Sequence, residues 1–240
     1  LGADFIMLRD EFLQNRSLAK SNRKDRINTL DIKSILITMG GTDPDNIAEQ
    51  LLHWLIKFDK DQQSKNKMQV SLVVNQASPF IQNLTAISTK HDWITIICNP
   101  ESMAQLMLNA DIAIGSSGAT AWERCCLGLP SLSIISAENQ SLVSENLTKA
   151  GAIINLGHFS NLTYANLAES ISQTLNTIKT YQKMVENSFS CCDGLGITIV
   201  TNALLTKLTD EVTLQKATYE DCQILFDWQS NSEIRKYFHN

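Results

Sequence analysis

Residues 115–120 read GSSGAT, and Glu123 follows three positions later. Small residues directly after an apolar run let another group approach the backbone closely. Gly118 then opens a helix-like segment, whose first N–H groups lack intrahelical partners and carry positive potential. A diphosphate suits that environment; so does an ordinary strand-to-helix turn with no ligand. Glu123 lies in the second turn of the same segment. One carboxylate there can accept hydrogen bonds from both hydroxyls of a ribose, as an acid does in dinucleotide folds. Alternatively, it faces solvent and pairs with Arg124 or a lysine.

A second small-residue turn, GGTDPDN at 40–46, also falls between an apolar run and a helix-like stretch. Gly40, Gly41 and Thr42 can bring backbone donors to a phosphate or a sugar, or belong to a loop that only caps the helix. The turn is not a P-loop, since no GK[ST] follows, and it is not GxGxxG. A third stretch, AENQ at 137–140, places the amides of Asn139 and Gln140 at another helix start. They can hold sugar hydroxyls or phosphate oxygens, or cap the helix. His53, His91, His158 and His239 stand outside the glycine loops and outside any serine or cysteine nucleophile pattern. The chain therefore offers a nucleotide cradle without a general base. No cofactor and no metal are implied: no cysteine–histidine spacing suits zinc, and no pair of chelating carboxylates stands out.

Strands and helices in alternation must position these loops. Apolar runs at 34–40, 68–75, 93–98, 111–115, 131–135 and 152–156 are read as strands. Helices are expected from an Asp43 cap, with Pro44 in the first turn, to about Phe58; after Ser78 and Pro79; and over 103–109, 118–127 and 138–150. Helix is expected again from 162 to about 208. The strand runs are near-continuously apolar, as in a parallel sheet covered on both faces. The expected fold class is α/β, a Rossmann-like, doubly wound parallel sheet. Ligands of such sheets gather at the carboxyl ends of the strands, where the loops at 40–45 and 115–120 fall. Residues 1–8 suit a strand or the end of one, and the polar, basic stretch 14–28 a loop or linker. Residues 212–218 suit a new strand, with Thr218 capping a helix that carries Cys222, Leu225, Phe226 and Trp228.

Of the 240 residues, 43% are hydrophobic, which supports a substantial core. A net charge of -5 argues against duplex nucleic acid as a partner. No apolar run approaches the roughly 18 residues of a membrane span. The cysteines include two adjacent pairs, Cys125 with Cys126 and Cys191 with Cys192, and no CxxC. They suit reduced thiols packed as small hydrophobes in a cytoplasmic protein. The chain opens on Leu1 and stops at Asn240 within a continuing pattern, so both ends are expected to be cut.

In order and spacing, ILITMGGTDPDN, ADIAIGSSGATAWERCCLGLPSL and AENQ closely resemble the UDP-sugar hydrolases of pseudaminic acid biosynthesis. That family releases UDP and a diacetamido-trideoxy sugar. It is related to the peptidoglycan N-acetylglucosaminyltransferase and has the GT-B fold, two Rossmann-like domains about a cleft. The resemblance covers about residues 1–208 and is to the carboxy-terminal, nucleotide-binding half. It implies that Gly40, Gly41 and Thr42 line the cleft near the phosphates. Ile97 would hold uracil through its backbone, with Met103 beneath. Ser117, Gly118, Ala119 and Thr120 would bind the diphosphate, and Glu123 the ribose hydroxyls. Asn139 and Gln140 would face the sugar and phosphates, with Asn139 supporting catalysis.

The family's catalytic histidine lies in a glycine-rich loop of an amino-terminal domain that this chain is expected to lack, save a final strand at 1–8. The main base is then outside this chain, which by itself is expected to bind UDP weakly and hydrolyse nothing. The implied partners are a UDP-sugar substrate and that missing domain. The tail, VTLQKATYEDCQILFDWQSNSEIRKYF, resembles the opening strand and helix of a GNAT-type N-acetyltransferase. The expected domains are 1–30, the end of the amino-terminal domain and a linker; 31–210, the UDP-sugar-binding domain; and 211–240, a truncated acetyltransferase start. The same cradle also suits a UDP-sugar-dependent glycosyltransferase half or a non-catalytic nucleotide-binding domain.

Overall fold

The run SILIT forms β1 (Ser34–Thr38), and its side chains alternate between two cores: Ile35 and Ile37 enter one, Leu36 the other. The computed structural model describes residues 3–29, 33–40, 43–62, 68–205 and 218–223. β1 lies at the centre of a sheet with β2 (Gln69–Val74) and β3 (Ile94–Cys98) on one side. On the other side are β4 (Ile112–Ser116), β5 (Ser131–Ile135) and β6 (Ile153–His158). Every pairing is parallel, and the order is β3-β2-β1-β4-β5-β6. This is the doubly wound, Rossmann-like order expected of an α/β chain. Succession reverses between β1 and β4, where Thr38 stands beside Gly115.

Both faces of the sheet are covered, which is why its strands are apolar throughout. On one face lie α2 (Ile47–Gln62), α3 (Ile81–Lys90) and α7 (Tyr164–Asn176). They contribute Leu51, Leu55, Leu84, Leu167 and Ile171 to the first core. On the other face lie α1 (Asp10–Thr29), α4 (Met103–Asn109), α5 (Ala119–Cys126) and α6 (Ser141–Lys149). They contribute Phe12, Ala19, Met107, Cys125 and Leu147 to the second. α8 (Ile178–Cys191) adds Tyr181 to the first core and packs against α7, and also against α5 and α1 of the other face. Cys125, Cys126 and Cys192 are buried and unbridged, as expected of small hydrophobes, whereas Cys98 and Cys222 are exposed. Burial pushes the Cys125 thiol up to about 12.

The amino-terminal expectations are overturned. Ala3–Phe5 is a single 3-10 turn rather than a strand, and the stretch read as a loop or linker is the twenty-residue helix α1. Its inward positions are 12, 16, 19, 23 and 26, alternating four and three apart. That is the spacing of a packed helix face, but three of the five residues are arginines. Phe12 and Ala19 pack as usual, whereas the arginines cap backbone carbonyls. Arg23, 1% exposed, donates to Leu127 O, Ala110 O and Met107 O at 3.3, 2.5 and 2.6 Å. Arg16 donates to Cys126 O, Cys192 O and Phe189 O. These carbonyls end helices or follow them, where backbone acceptors lack intrahelical partners. A reading that counts apolar residues does not detect such a face.

Smaller departures concern caps. α2 starts at Ile47, not in the turn after Asp43, and Pro44 sits in the preceding turn. Asp43 still caps it, accepting from Ile47 N and Ala48 N at 2.9 Å each. The helix expected over 138–150 is a 3-10 turn, Glu138–Gln140, followed by α6. By length and composition alone, Ile178–Leu205 could cross a membrane. It is divided, however: α8 ends at Cys191, Gly194 takes φ +83°, and α9 (Gly196–Leu205) begins afterwards. α8 also buries Tyr181, Met184 and Val185 and carries Lys179, Lys183 and Glu186.

The chain divides into two compact units, Leu1–Val200 and Thr201–Asn240. In the second, Thr218 caps the 3-10 turn Tyr219–Asp221, and Asp221 reciprocates onto the Thr218 backbone at 2.6 Å. The strand expected at 212–218 and the positions Leu225, Phe226 and Trp228 lie outside the described residues, apart from Thr218.

Candidate functional site

Parallel strands bring their carboxyl ends to one edge, and a cavity of about 320 Å³ opens there. Thr38 and Gly40 from the end of β1, Val74 and Asn75 from β2, and Asn99 and Pro100 from β3 line one part of it. Met103 at the start of α4, Thr120 and Glu123 from α5, and Arg9 complete it. Four of the residues singled out in the sequence, Gly40, Met103, Thr120 and Glu123, thus share one concave surface.

Glu123 reaches this cavity because α5 starts directly after β4 and its second turn overhangs the strand ends. Its side chain is only 14% exposed. Burial holds the carboxyl above its ordinary value, against the pull of Arg9, whose Nη2 donates to Glu123 Oε1 at 3.2 Å. The solvent-facing alternative for Glu123 does not describe the structure: the side chain is mostly buried and its partner is Arg9, not Arg124 or a lysine. Arg9 also pairs with Glu11, Nη1 to Oε1 at 2.9 Å. Glu11 in turn caps α4, accepting from Ser102 Oγ at 2.5 Å and Ala104 N at 3.2 Å. A polar chain therefore runs from Glu123 through Arg9 and Glu11 to the helix that carries Met103.

The two glycines of GSSG have different causes. A Cβ on Gly115 would lie 2.5 Å from Thr38 O and 2.7 Å from Arg124 Nη1, so the interior demands its smallness. A Cβ on Gly118 would meet nothing within 4 Å, and Gly118 has φ −83°. Among the described residues no packing contact calls for glycine there, although Gly118 is the N-cap of α5, a position that favours glycine over alanine. Ala119 and Thr120 form the first turn of α5 beyond it. Ser117 is fully buried, backbone included, with its hydroxyl against that of Ser133.

The remaining candidates are more dispersed. Ile97 stands one residue before the end of the edge strand β3, paired with Val73, and its neighbours Asn99 and Pro100 line the cavity. Gly41 and Thr42 lie outside the described residues. Asn139 is exposed, and Gln140 is engaged locally, its Oε1 accepting from Ser136 N at 3.1 Å and Ser136 Oγ at 3.2 Å. These two stand beside a second cavity, of about 420 Å³, lined by Ser136, Ala137, Glu138, His158 and Asp45. Asn139 and Gln140 are therefore not brought together with Glu123. Among the described residues no group of three or more histidine, cysteine or acidic side chains is arranged to hold a metal ion. Arg9, Thr38, Asn75 and Asn99 were missed in the sequence. Nothing in the spacing links Arg9 to a glutamate 114 positions away.

The chain is similar to the spore coat polysaccharide biosynthesis protein SpsG of Bacillus subtilis, 26% identical over 210 residues, covering 88% of this chain and 58% of that protein. It spans about half the length of the curated relatives it matches. Among solved structures, MurG of Acinetobacter baumannii superposes with a TM-score of 0.62 at 16% identity, over 77% of this chain and 52% of that one. The UDP-GlcNAc 2-epimerase of Methanocaldococcus jannaschii, solved with UDP-GlcNAc and UDP, superposes with a TM-score of 0.55 at 17% identity, over 81% and 52%. At such identities these likenesses show the shared fold. The glycosyltransferase family 28 C-terminal domain matches residues 34–193, well over half of the sequence, and this chain belongs to that family.

Proposed function

We propose that this chain is the nucleotide-binding half of a UDP-sugar enzyme, with UDP held at the carboxyl edge of the sheet. The observation that carries this reading is Glu123, half-buried in the second turn of α5 and lining the cavity, with its N-cap Gly118 meeting open space among the described residues. Glu123 takes the ribose hydroxyls. The backbone of Gly118 and Ala119, with the Thr120 side chain, faces the diphosphate at the start of α5. Uracil lies toward the ends of β2 and β3, near Ile97 and Met103. Gly41 and Thr42 close the phosphate side, and Asn139 and Gln140 face the sugar. The UDP bound to the M. jannaschii epimerase, whose fold is shared, supports the ligand class.

The finer reading is hydrolysis, releasing UDP and a diacetamido-trideoxy sugar, as the WERCCLGLP resemblance implies. The base that activates water belongs to a preceding domain. A GNAT-type unit starts near 211. Transfer to an acceptor is the second reading, favoured by the family to which the domain belongs. Product analysis of the full-length protein with UDP-sugar separates them. Free sugar plus UDP supports hydrolysis; UDP release only with an acceptor present supports transfer.

A further inference from the structure

The family motif leaves one residue unexplained, the arginine that follows Glu123. Arg124 is 1% exposed, the side chain pointing back under the loop that follows β4. Its Nη1 donates to Thr38 Oγ1 at 3.1 Å and its Nη2 to Ser116 O at 2.8 Å. Its Nε is buried and has no hydrogen-bond partner. Both acceptors are neutral, and among the described residues no carboxylate forms an ion pair with it. Gly115 is small partly to make room for it. The Glu123 carboxylate acts on it only from a distance, without a hydrogen bond. A buried cation whose hydrogen bonds all go to neutral acceptors is an unfavourable arrangement in a free protein, and here it costs the strand a side chain as well. It lies where β1 and β4 diverge, beneath the loop proposed to receive the diphosphate.

We infer that Arg124 is a charge-supplying, positioning residue for the diphosphate: its buried guanidinium attracts the anion from beneath the GSSG loop, without touching it. The inference rests on the nucleotide-binding reading above and assigns the source of its phosphate affinity. Two effects act together. The charge acts through a water-poor interior, where screening is weak. The hydrogen bond to Ser116 O also polarises the peptide joining Ser116 to Ser117, leaving more positive charge on the Ser117 N–H. Bound diphosphate compensates the cation, so the arrangement is unfavourable only while the site is empty.

The test compares uridine with UDP on the unaltered chain, Arg124→Met and Arg124→Lys, by calorimetry. Removing the charge weakens UDP about tenfold and leaves uridine unchanged, because a nucleoside presents no anion to a field of this kind. Lysine restores most of the difference, since it keeps the charge. If Arg124 is only a strut between β1 and β4, uridine and UDP weaken together and lysine does not rescue; that result overturns the proposal, as does unaltered UDP binding in Arg124→Met. Should the methionine variant not fold, the unaltered chain carries the test by nuclear magnetic resonance. The Arg124 Nε–H signal then moves on adding UDP and not on adding uridine, and equal response to both overturns the proposal. Failure of the unaltered chain to bind UDP at all overturns the underlying reading and the proposal with it.

Discussion

Arg9 Nη2 lies 3.2 Å from Glu123 Oε1, joining the segment before α1 to the carboxylate of the cleft. Any diol that approaches Glu123 meets this guanidinium. Arg9 is the foremost charge opposing the burial effect on Glu123. Arg9→Ala therefore raises the Glu123 pKa further. Its folding cost stays below about 1 kcal/mol, because the arginine side chain is 54% exposed and its pair is solvent-screened. A carbon-13 titration of the Glu123 carboxyl in the two chains reads the shift; an unchanged titration contradicts it.

Nucleoside binding should depend on pH through Glu123. Its carboxyl sits above the ordinary glutamate value because burial disfavours the charged form. The ribose hydroxyls donate to the carboxylate, so uridine affinity falls as pH drops through that raised value, earlier than an ordinary glutamate near about 4.3 would cause. The folding sign is opposite: a raised pKa means the folded chain binds the proton more tightly, so this group opposes folding at high pH and the penalty eases as pH falls. Uridine titrations from neutral to acidic pH, repeated on Glu123→Gln, check this; the glutamine variant should show no such decline.

The two glycines of GSSG should separate under substitution. Gly115→Ala puts a methyl 2.5 Å from a backbone oxygen and 2.7 Å from Arg124, and should destabilise by about 1–3 kcal/mol or more through overpacking. Gly118→Ala meets open space among the described residues at an allowed φ and should cost folding at most about 1 kcal/mol, because Gly118 is the N-cap of α5, where glycine is preferred to alanine. Yet it should weaken UDP. Thermal unfolding with and without UDP distinguishes these outcomes. Normal UDP binding by Gly118→Ala would contradict close approach of the phosphates.

Sequence reading captured the parallel sheet because each strand is an apolar run with helical sequence between. Positions at strand ends, Gly40, Thr120 and Glu123, followed from that order. Three things escaped it. The first was α1, whose inward face is built from Arg16, Arg23 and Arg26 where apolar residues are normally counted. The second was Arg9, which meets Glu123 only after the chain has folded back over the sheet. The third was the cause of Gly115, fixed by Thr38 and Arg124 from inside, whereas GSSGAT alone suggested a ligand for both glycines. Gln140, read as a sugar contact or a cap, accepts from Ser136 N and Ser136 Oγ through its Oε1, a local bond that the sequence alone does not show.

The arginine face of α1 should carry much of the helix's attachment. Arg23→Ala strands two buried carbonyls, those of Leu127 and Met107, while Ala110 O keeps Arg26 Nη1 at 2.9 Å. An unsatisfied buried acceptor costs about 1–3 kcal/mol, so the loss should reach at least about 2 kcal/mol. Chemical denaturation measures it. Arg23→Lys should recover only part, since an ammonium lacks the planar fork that spans three acceptors. A loss below 1 kcal/mol would contradict the capping role.

The central claim is that Glu123 anchors a nucleotide at the carboxyl edge of this sheet. Its most direct test is a calorimetric titration of UDP into this chain and into Glu123→Ala. The account predicts binding to the first and a loss of about 1.5–3 kcal/mol in the second, the size of hydrogen bonds to a charged group. Equal affinity in the two chains, or no binding to either, would contradict it.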